Sequence, residues 1–428
     1  MRDCFNRNIW IAFLIVAATA HPCRAQTGAC SRPAVERAAG EVADSRKTLL
    51  GVPVSKDASE NEQVSPVAAR AISQMKDRLN DLVVAYMSCL SVQNRADPER
   101  IQRDLSSLTH AYGKPASTEN LFEVRATPDA RRLISMTAKF EIPDVDDTVL
   151  WIFSPSKEAW REVLRWQSKP YKAIDGAFWE FQYRISPPDR AGNWFVATSY
   201  VNGWGASVWS YINYGILRVG SVPSKPKVLL ARSDFMTWGF ENYGHLTANR
   251  DDSELRFDGA SIAPDVLVRT YIRHYAIEGD SVARIAPVAV SARDFVDEWM
   301  ISKWADAQAW SAAANLQALQ LKHEVLSKLY NDPKSGFLAY DIILRCTDAA
   351  GVFQVSVFPY QGADFYFRVG TQPSLTMMSV KDTPDSDCKG RNLLEDMATK
   401  KSSEAWSDTT TASHAGKLDS EAGRLRVP

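Results

Sequence analysis

Long apolar runs are scarce in this 428-residue chain. Beyond the first thirty residues none approaches the about 20 that a membrane-crossing helix needs, since each helical residue adds only about 1.5 Å of rise. An excess of charge is missing too: the formal net charge is −1. That balance gives no electrostatic footprint for nucleic acid or for an anionic membrane surface, so neither is expected as a partner. Histidine is sparse and scattered singly, and His323-Glu324-Val325 lacks the second histidine of a zinc helix. Asp144 to Thr148 and Asn249 to Glu254 carry carboxylates without the spacing and glycine of a calcium loop, and read as solvated turns. No nucleophile-elbow, phosphate-loop or dinucleotide-binding glycine pattern occurs, and no cofactor is expected. No internal repeat of propeller period stands out.

What the chain does have begins at its N-terminus. Arg2 and Arg7 precede an apolar stretch from Ile9 to Ala20, followed by small residues, which is the order of a secretory signal. Ala18-Thr19-Ala20 and Cys23-Arg24-Ala25 both satisfy the small-x-small rule for cleavage, with the cut after Ala25 favoured. Cys23 follows His21-Pro22, and Cys30 lies well beyond the apolar run, which argues against lipidation. Removing residues 1–25 takes away Arg2, Arg7, Arg24 and Asp3 and moves the net charge to −3. The mature chain is expected to be periplasmic or extracellular, with no transmembrane segment.

Cysteine use agrees with export. Cys30, Cys89, Cys346 and Cys388 remain after the cut, an even number in a compartment where disulfides persist. Of the three pairings, Cys30–Cys89 with Cys346–Cys388 is favoured, because each bridge then closes a loop inside one region.

Periodicity divides the rest into an α+β chain. Residues 26–114 read as a helical unit: Pro33 suits a first helical turn, Ser65-Pro66 opens a stripe of Ile72, Met75, Leu79, Leu82 and Tyr86, and Asp97-Pro98-Glu99 opens a third helix. Residues 115–290 hold β-branched and aromatic runs separated by turn residues, which predicts an antiparallel β domain: a sandwich, a barrel or a partial propeller. Within 291–396, Ser291 to Asp294 reads as a capping box before Phe295, Val296 and Trp299. A second helix is expected from about Ala312, then four alternating strands from Leu338 to Val380. Residues 397–428 have too few apolar side chains to offset the entropy of ordering and read as a disordered tail.

Tryptophan is the one enriched residue. Eleven of thirteen lie between Trp151 and Trp310, which directs attention to the middle of the chain. There Trp194, Trp204, Trp209 and Tyr211 are interleaved with Asn and Ser, and rings with flat apolar faces and polar edges suit stacking on a sugar or holding an extended peptide. These four are the candidate ligand surface. The strand around Arg269, Tyr271, Arg273 and Tyr275 could receive an anion, but the expectation is a solvated outer sheet face. Asp294, Asp297 and Glu298 share a first helical turn, where the helix dipole alone favours acids.

Three short fragments, Ser154 to Lys157, Tyr211 to Asn213 and Lys334 to Gly336, follow the order found in serine acyl-transfer enzymes related to penicillin-binding proteins. That chemistry needs the Ser and Lys on a buried helix, whereas Ser154 to Lys157 reads as a turn between two strands, so the match carries no family assignment. The expectation is therefore an exported binding or structural module for carbohydrate or peptide, with an exported hydrolase of glycan or peptide as the alternative.

Overall fold

The computed structural model describes residues 30–52, 64–92, 96–110, 121–142, 145–168, 170, 178–202, 209–237, 244–260, 268–331, 338–347, 349–359 and 363–393. The expected leader, the expected tail, Trp204 and the fragment Lys334 to Gly336 lie outside the described residues. What is described is an α+β protein with a β-rich centre.

Three helices come first: α1 (Arg32–Leu50), α2 (Pro66–Ser88) and α3 (Pro98–His110). Ser65 caps α2 by accepting the Ala68 N–H on its hydroxyl, with Pro66 at the start of the helix. The bridge Cys30–Cys89 ties the entry of α1 to the exit of α2. A second bridge, Cys346–Cys388, closes the C-terminal region, so both favoured pairings form. With sequence separations of 59 and 42, each cross-link removes about 4 kcal/mol of chain entropy from the unfolded state in the loop-closure account.

An eight-stranded antiparallel sheet follows, built from β1 (Phe122–Ala126), β2 (Ile134–Ile142), β3 (Val145–Pro155), β4 (Trp160–Gln167), β5 (Phe178–Ile185), β6 (Val196–Asn202), β7 (Trp209–Val222) and β8 (Lys225–Thr237). Ser154 to Lys157 crosses from the end of β3 into its turn, as the strand-turn-strand reading expects. The sheet forks at β3. One edge of β3 pairs β4 from Val149 to Pro155 and meets β5 only at Asp146 with Phe178. From there β5 leads on through β6 and β7 to β8. The β7–β8 hairpin then comes back to β4, where the Arg165 N–H donates to the Pro223 carbonyl at 2.8 Å. A space between the branches results.

A four-stranded sheet, β9 (His245–Ala248), β10 (Asp252–Ala260), β11 (Val268–Glu278) and β12 (Ser281–Arg284), lies against the outer face of β6 and β7. Phe195, Ile212, Tyr214 and Ile216 meet Leu246, Leu255, Phe257 and Tyr275 there, the face-to-face packing of a sandwich. The helices cover the other side of the first sheet, where α2 packs on Met136, Val149 and Trp151. The C-terminal region comprises α4 (Ala292–Ile301), α5 (Trp304–Ala307), α6 (Leu316–Asn331) and a sheet of β13 (Leu338–Arg345), β14 (Val352–Pro359), β15 (Phe365–Gly370) and β16 (Thr376–Lys381). His323 is buried in that core with Nε2 3.0 Å from the Trp299 carbonyl, and burial lowers its pKa.

Two expectations are corrected. Arg269, Tyr271, Arg273 and Tyr275 are buried, so this face of β11 is no solvated exterior. It opposes β8 and α4, and Arg273 makes a bidentate pair with Asp234 (2.8 and 2.9 Å) while also donating to Glu298 at 2.7 Å. Nor does the helix dipole suffice for Asp297 and Glu298: every residue from Ala292 to Met300 is buried, and acids in such a helix require cations, not merely a helix end. The capping box is half made: Ser291 accepts the Asp294 N–H, but the Asp294 carboxylate is taken by Arg293 at 2.7 Å.

Candidate functional site

The space between the branches is a cleft of about 710 Å³. Its floor is the inner face of β6, β7 and β8, and strand alternation sets the side chains there. Tyr200, Asn213 and Ser233 stand opposite one another in one row, and Thr198, Gly215 and Ala231 form the next. Two residues further on, Leu217 faces Val228. All eight line the cleft, so the floor grades from amide and phenol to aliphatic within three rows. Asn213 donates from its side-chain amide to Asn202 Oδ1, which fixes the polar end.

The wall is aromatic. Trp166, near the end of β4, stacks on Phe181 of β5 with ring centroids 4.8 Å apart and meets Tyr200 of β6 at 5.7 Å. Trp166 and Tyr200 line the cleft and Phe181 backs Trp166, at spacings favoured for offset aromatic contacts. Burial, and then the charge of Asp147, raises the Tyr200 pKa, keeping its hydroxyl protonated. Gly215 leaves the floor open between Thr198 and Ala231. A Cβ there would lie 3.2 Å from the Leu230 carbonyl and 3.4 Å from Thr198 Oγ1.

At the end of the cleft nearest α2, Ser168 and Asp77 complete the lining. Ser168 belongs to a buried trio. Lys76 Nζ lies 2.6 Å from Asp147 Oδ2 and also donates to Ser168 Oγ, while Ser168 Oγ donates to Asp147 at 3.0 and 3.1 Å. Asp147 is fully buried, and burial raises its pKa against the pull of Lys76, its hydrogen bond from the Thr148 N–H (2.7 Å) and that from Ser168.

Of the aromatic residues singled out in the sequence, Trp194 is half-buried, with the Arg131 guanidinium 5.5 Å from its ring. Tyr211 is 50% exposed at the far end of the same β6–β7 hairpin, next to Trp209. Trp194 precedes β6 and Trp209 begins β7, at opposite ends of the two strands. The cleft instead collects Trp166, Tyr200 and Asn213. Tyr200 lay inside the aromatic stretch already noted; Trp166 did not, since only the fork brings β4 alongside β6.

Lys76 carried a signal in the sequence. It stands four residues after Ile72 and three before Leu79, inside an apolar stripe where a lysine requires a buried partner. Searches against protein-family models and against curated proteins find no match for this chain.

Proposed function

We propose that this chain is an exported binding protein whose forked-sheet cleft receives a carbohydrate segment, in the periplasm or outside the cell. The observation that carries the reading is the pairing of an aromatic wall, Trp166 with Tyr200, and a floor of Asn213, Ser233 and Thr198. Sugar rings present apolar faces and hydroxyl edges at once, and such a wall and floor address both. The cleft volume falls in the usual range for small-ligand sites, about 300–1,000 Å³. The three floor rows are uncharged, while Arg165, Arg232 and Asp77 also border the cleft and can meet hydroxyl edges. Two disulfides support maturation in an oxidising compartment.

Titration of tryptophan fluorescence with a panel of neutral oligosaccharides tests this. Trp166→Ala should weaken the best ligand at least tenfold, equivalent to about 1.4 kcal/mol. An Asn213→Ala variant should weaken it less, and Trp194→Ala, outside the cleft, should leave it unchanged. Binding that survives Trp166→Ala, or a panel with no ligand at all, refutes the carbohydrate reading.

A further inference from the structure

We propose that Ser168, Asp147 and Lys76 form an acyl-transfer centre at the α2 end of the cleft, with Ser168 as nucleophile and an ester as substrate. That the ester sits on a carbohydrate rests on the binding reading above; the chemistry of the trio does not.

The geometry is that of an activated hydroxyl. Ser168 Oγ donates to Asp147 at 3.0 Å and accepts from the Lys76 ammonium, which itself lies 2.6 Å from Asp147. A carboxylate thus stands ready for the serine proton, and a cation stands beside the oxygen on which negative charge develops. All three groups are buried, so water does not screen them, yet Ser168 and its neighbours Trp166 and Gln167 line the cleft. Asp147 is felt inside the cleft as well, through its effect on Tyr200.

The step balances with these groups alone. As Ser168 Oγ bonds to the acyl carbon, its proton passes to Asp147; the carbon–oxygen bond to the leaving alcohol breaks, and that alcohol takes the proton from Asp147. Water then attacks the acyl-serine, giving one proton to Asp147, which returns it to Ser168 as the acid departs. Lys76 keeps its charge throughout.

The same trio would look identical if it only strapped α2 to the sheet, and the experiment separates the two. The full chain is treated with a fluorophosphonate probe and with p-nitrophenyl acetate, and the labelled residue is mapped by mass spectrometry. Labelling at Ser168, with turnover lost in Ser168→Ala and reduced roughly a hundredfold in Asp147→Asn, is the expected result. The label on Ser168 is read in the absence of carbohydrate and carbohydrate affinity by fluorescence titration, so failure of the binding reading and failure of this one are distinguishable. Ser168→Ala retains the Lys76–Asp147 pair and should melt as the parent does; the residue labelled on the parent chain decides the question even should it not. Absence of label on Ser168, or hydrolysis equal in parent and Ser168→Ala, would assign the trio to the strap alone.

Discussion

Lys76 and Glu298 each stand on a helix opened by a serine cap, and each is buried against a β-sheet, yet the two joints are built differently. The first joins α2 to β3 and β4 with one cation, one carboxylate and one hydroxyl, all mutually hydrogen-bonded. The second joins α4 to β8, β11 and β12 with six charged groups. Glu298 receives Arg273 at 2.7 Å, Arg269 at 3.0 Å and Arg284 at 3.0 Å, and Asp234 and Asp297 complete the set. Burial pushes the Glu298 pKa upward, but the attraction of Arg273, Arg269 and Arg284 holds it down to about 2. Asp297 fares the opposite way. Its burial, reinforced by Glu298 and Asp294 and opposed by Arg269, lifts its pKa to about 6. Arg269 Nε lies 3.0 Å from Asp297 Oδ2, off the line of its N–H, and neither Asp297 oxygen accepts a hydrogen bond among the described residues. A small joint can be complete; a large one concentrates its imperfection in one member.

The largest expected effect comes from removing the hub of the larger joint. Glu298→Ala leaves three buried guanidinium groups facing one another and should cost about 5 kcal/mol, the upper end for an uncompensated buried charge. Denaturant unfolding of the purified variant would report it as a shifted midpoint or as failure to fold. A cost below about 1 kcal/mol would show that the joint is wet and screened.

The smaller joint should part company with the larger under double substitution. Lys76→Met alone leaves Asp147 unpaired and should cost about 3 kcal/mol, whereas Lys76→Met with Asp147→Leu should return to within about 1 kcal/mol of the parent, since apolar replacement of a whole buried pair is commonly neutral. A double variant no better than the single would erase the distinction drawn between the joints.

Acid and base should also tell the two carboxylates of α4 apart. Asp297 binds its proton more tightly folded, at about 6, than at its ordinary 3.8. Its contribution to stability is therefore fully present below about pH 4 and is lost as pH rises through 6, by roughly 3 kcal/mol. Glu298 runs the other way: its stabilisation is present above its ordinary 4.5 and is lost as pH falls through about 2. Asp297→Asn should flatten the stability profile between pH 4 and 6 measured by thermal unfolding, and gain on the parent above that window. A profile equally steep in Asp297→Asn would remove Asp297 as the weak member.

The smallest expected effect concerns the caps that both joints share. Ser65→Ala and Ser291→Ala each remove one acceptor from a helix start and should each cost about 1 kcal/mol. A much larger loss on the α4 side would mean that Ser291 also holds the acids of that helix in place.

These contrasts mark where the chain was readable as a string of letters. Caps, prolines and apolar stripes are local, so α1 to α3 and the opening of α4 were legible, and the four cysteines paired as their positions in the two helical and sheet regions suggested. Strands under a clear alternation, such as Phe365, Phe367 and Val369 in β15, were legible for the same reason. The full length of β8 was not, because Lys225, Lys227 and Arg232 interrupt its apolar pattern. Neither was the burial of β11. An Arg–Tyr alternation has the same letters whether it faces water or a helix of acids, and Asp297 and Glu298 lie 28 and 25 positions from Arg269 and Arg273. The cleft was hidden for a related reason. Trp166, Tyr200 and Asn213 come from three strands, and what gathers them is the pairing of both β4 and β5 with one edge of β3 and the return of the β7–β8 hairpin to β4, long-range contacts that no window of sequence contains.

That fork bears on how quickly anything could enter or leave. Because β4 is laddered to β3 from Val149 to Pro155, that bank of the channel cannot swing outward without tearing the ladder from its base, whereas β5 is held to β3 by the single pair Asp146 with Phe178. The β4 bank therefore stands as a fixed wall, and a guest passing along it must shed its water against Trp166.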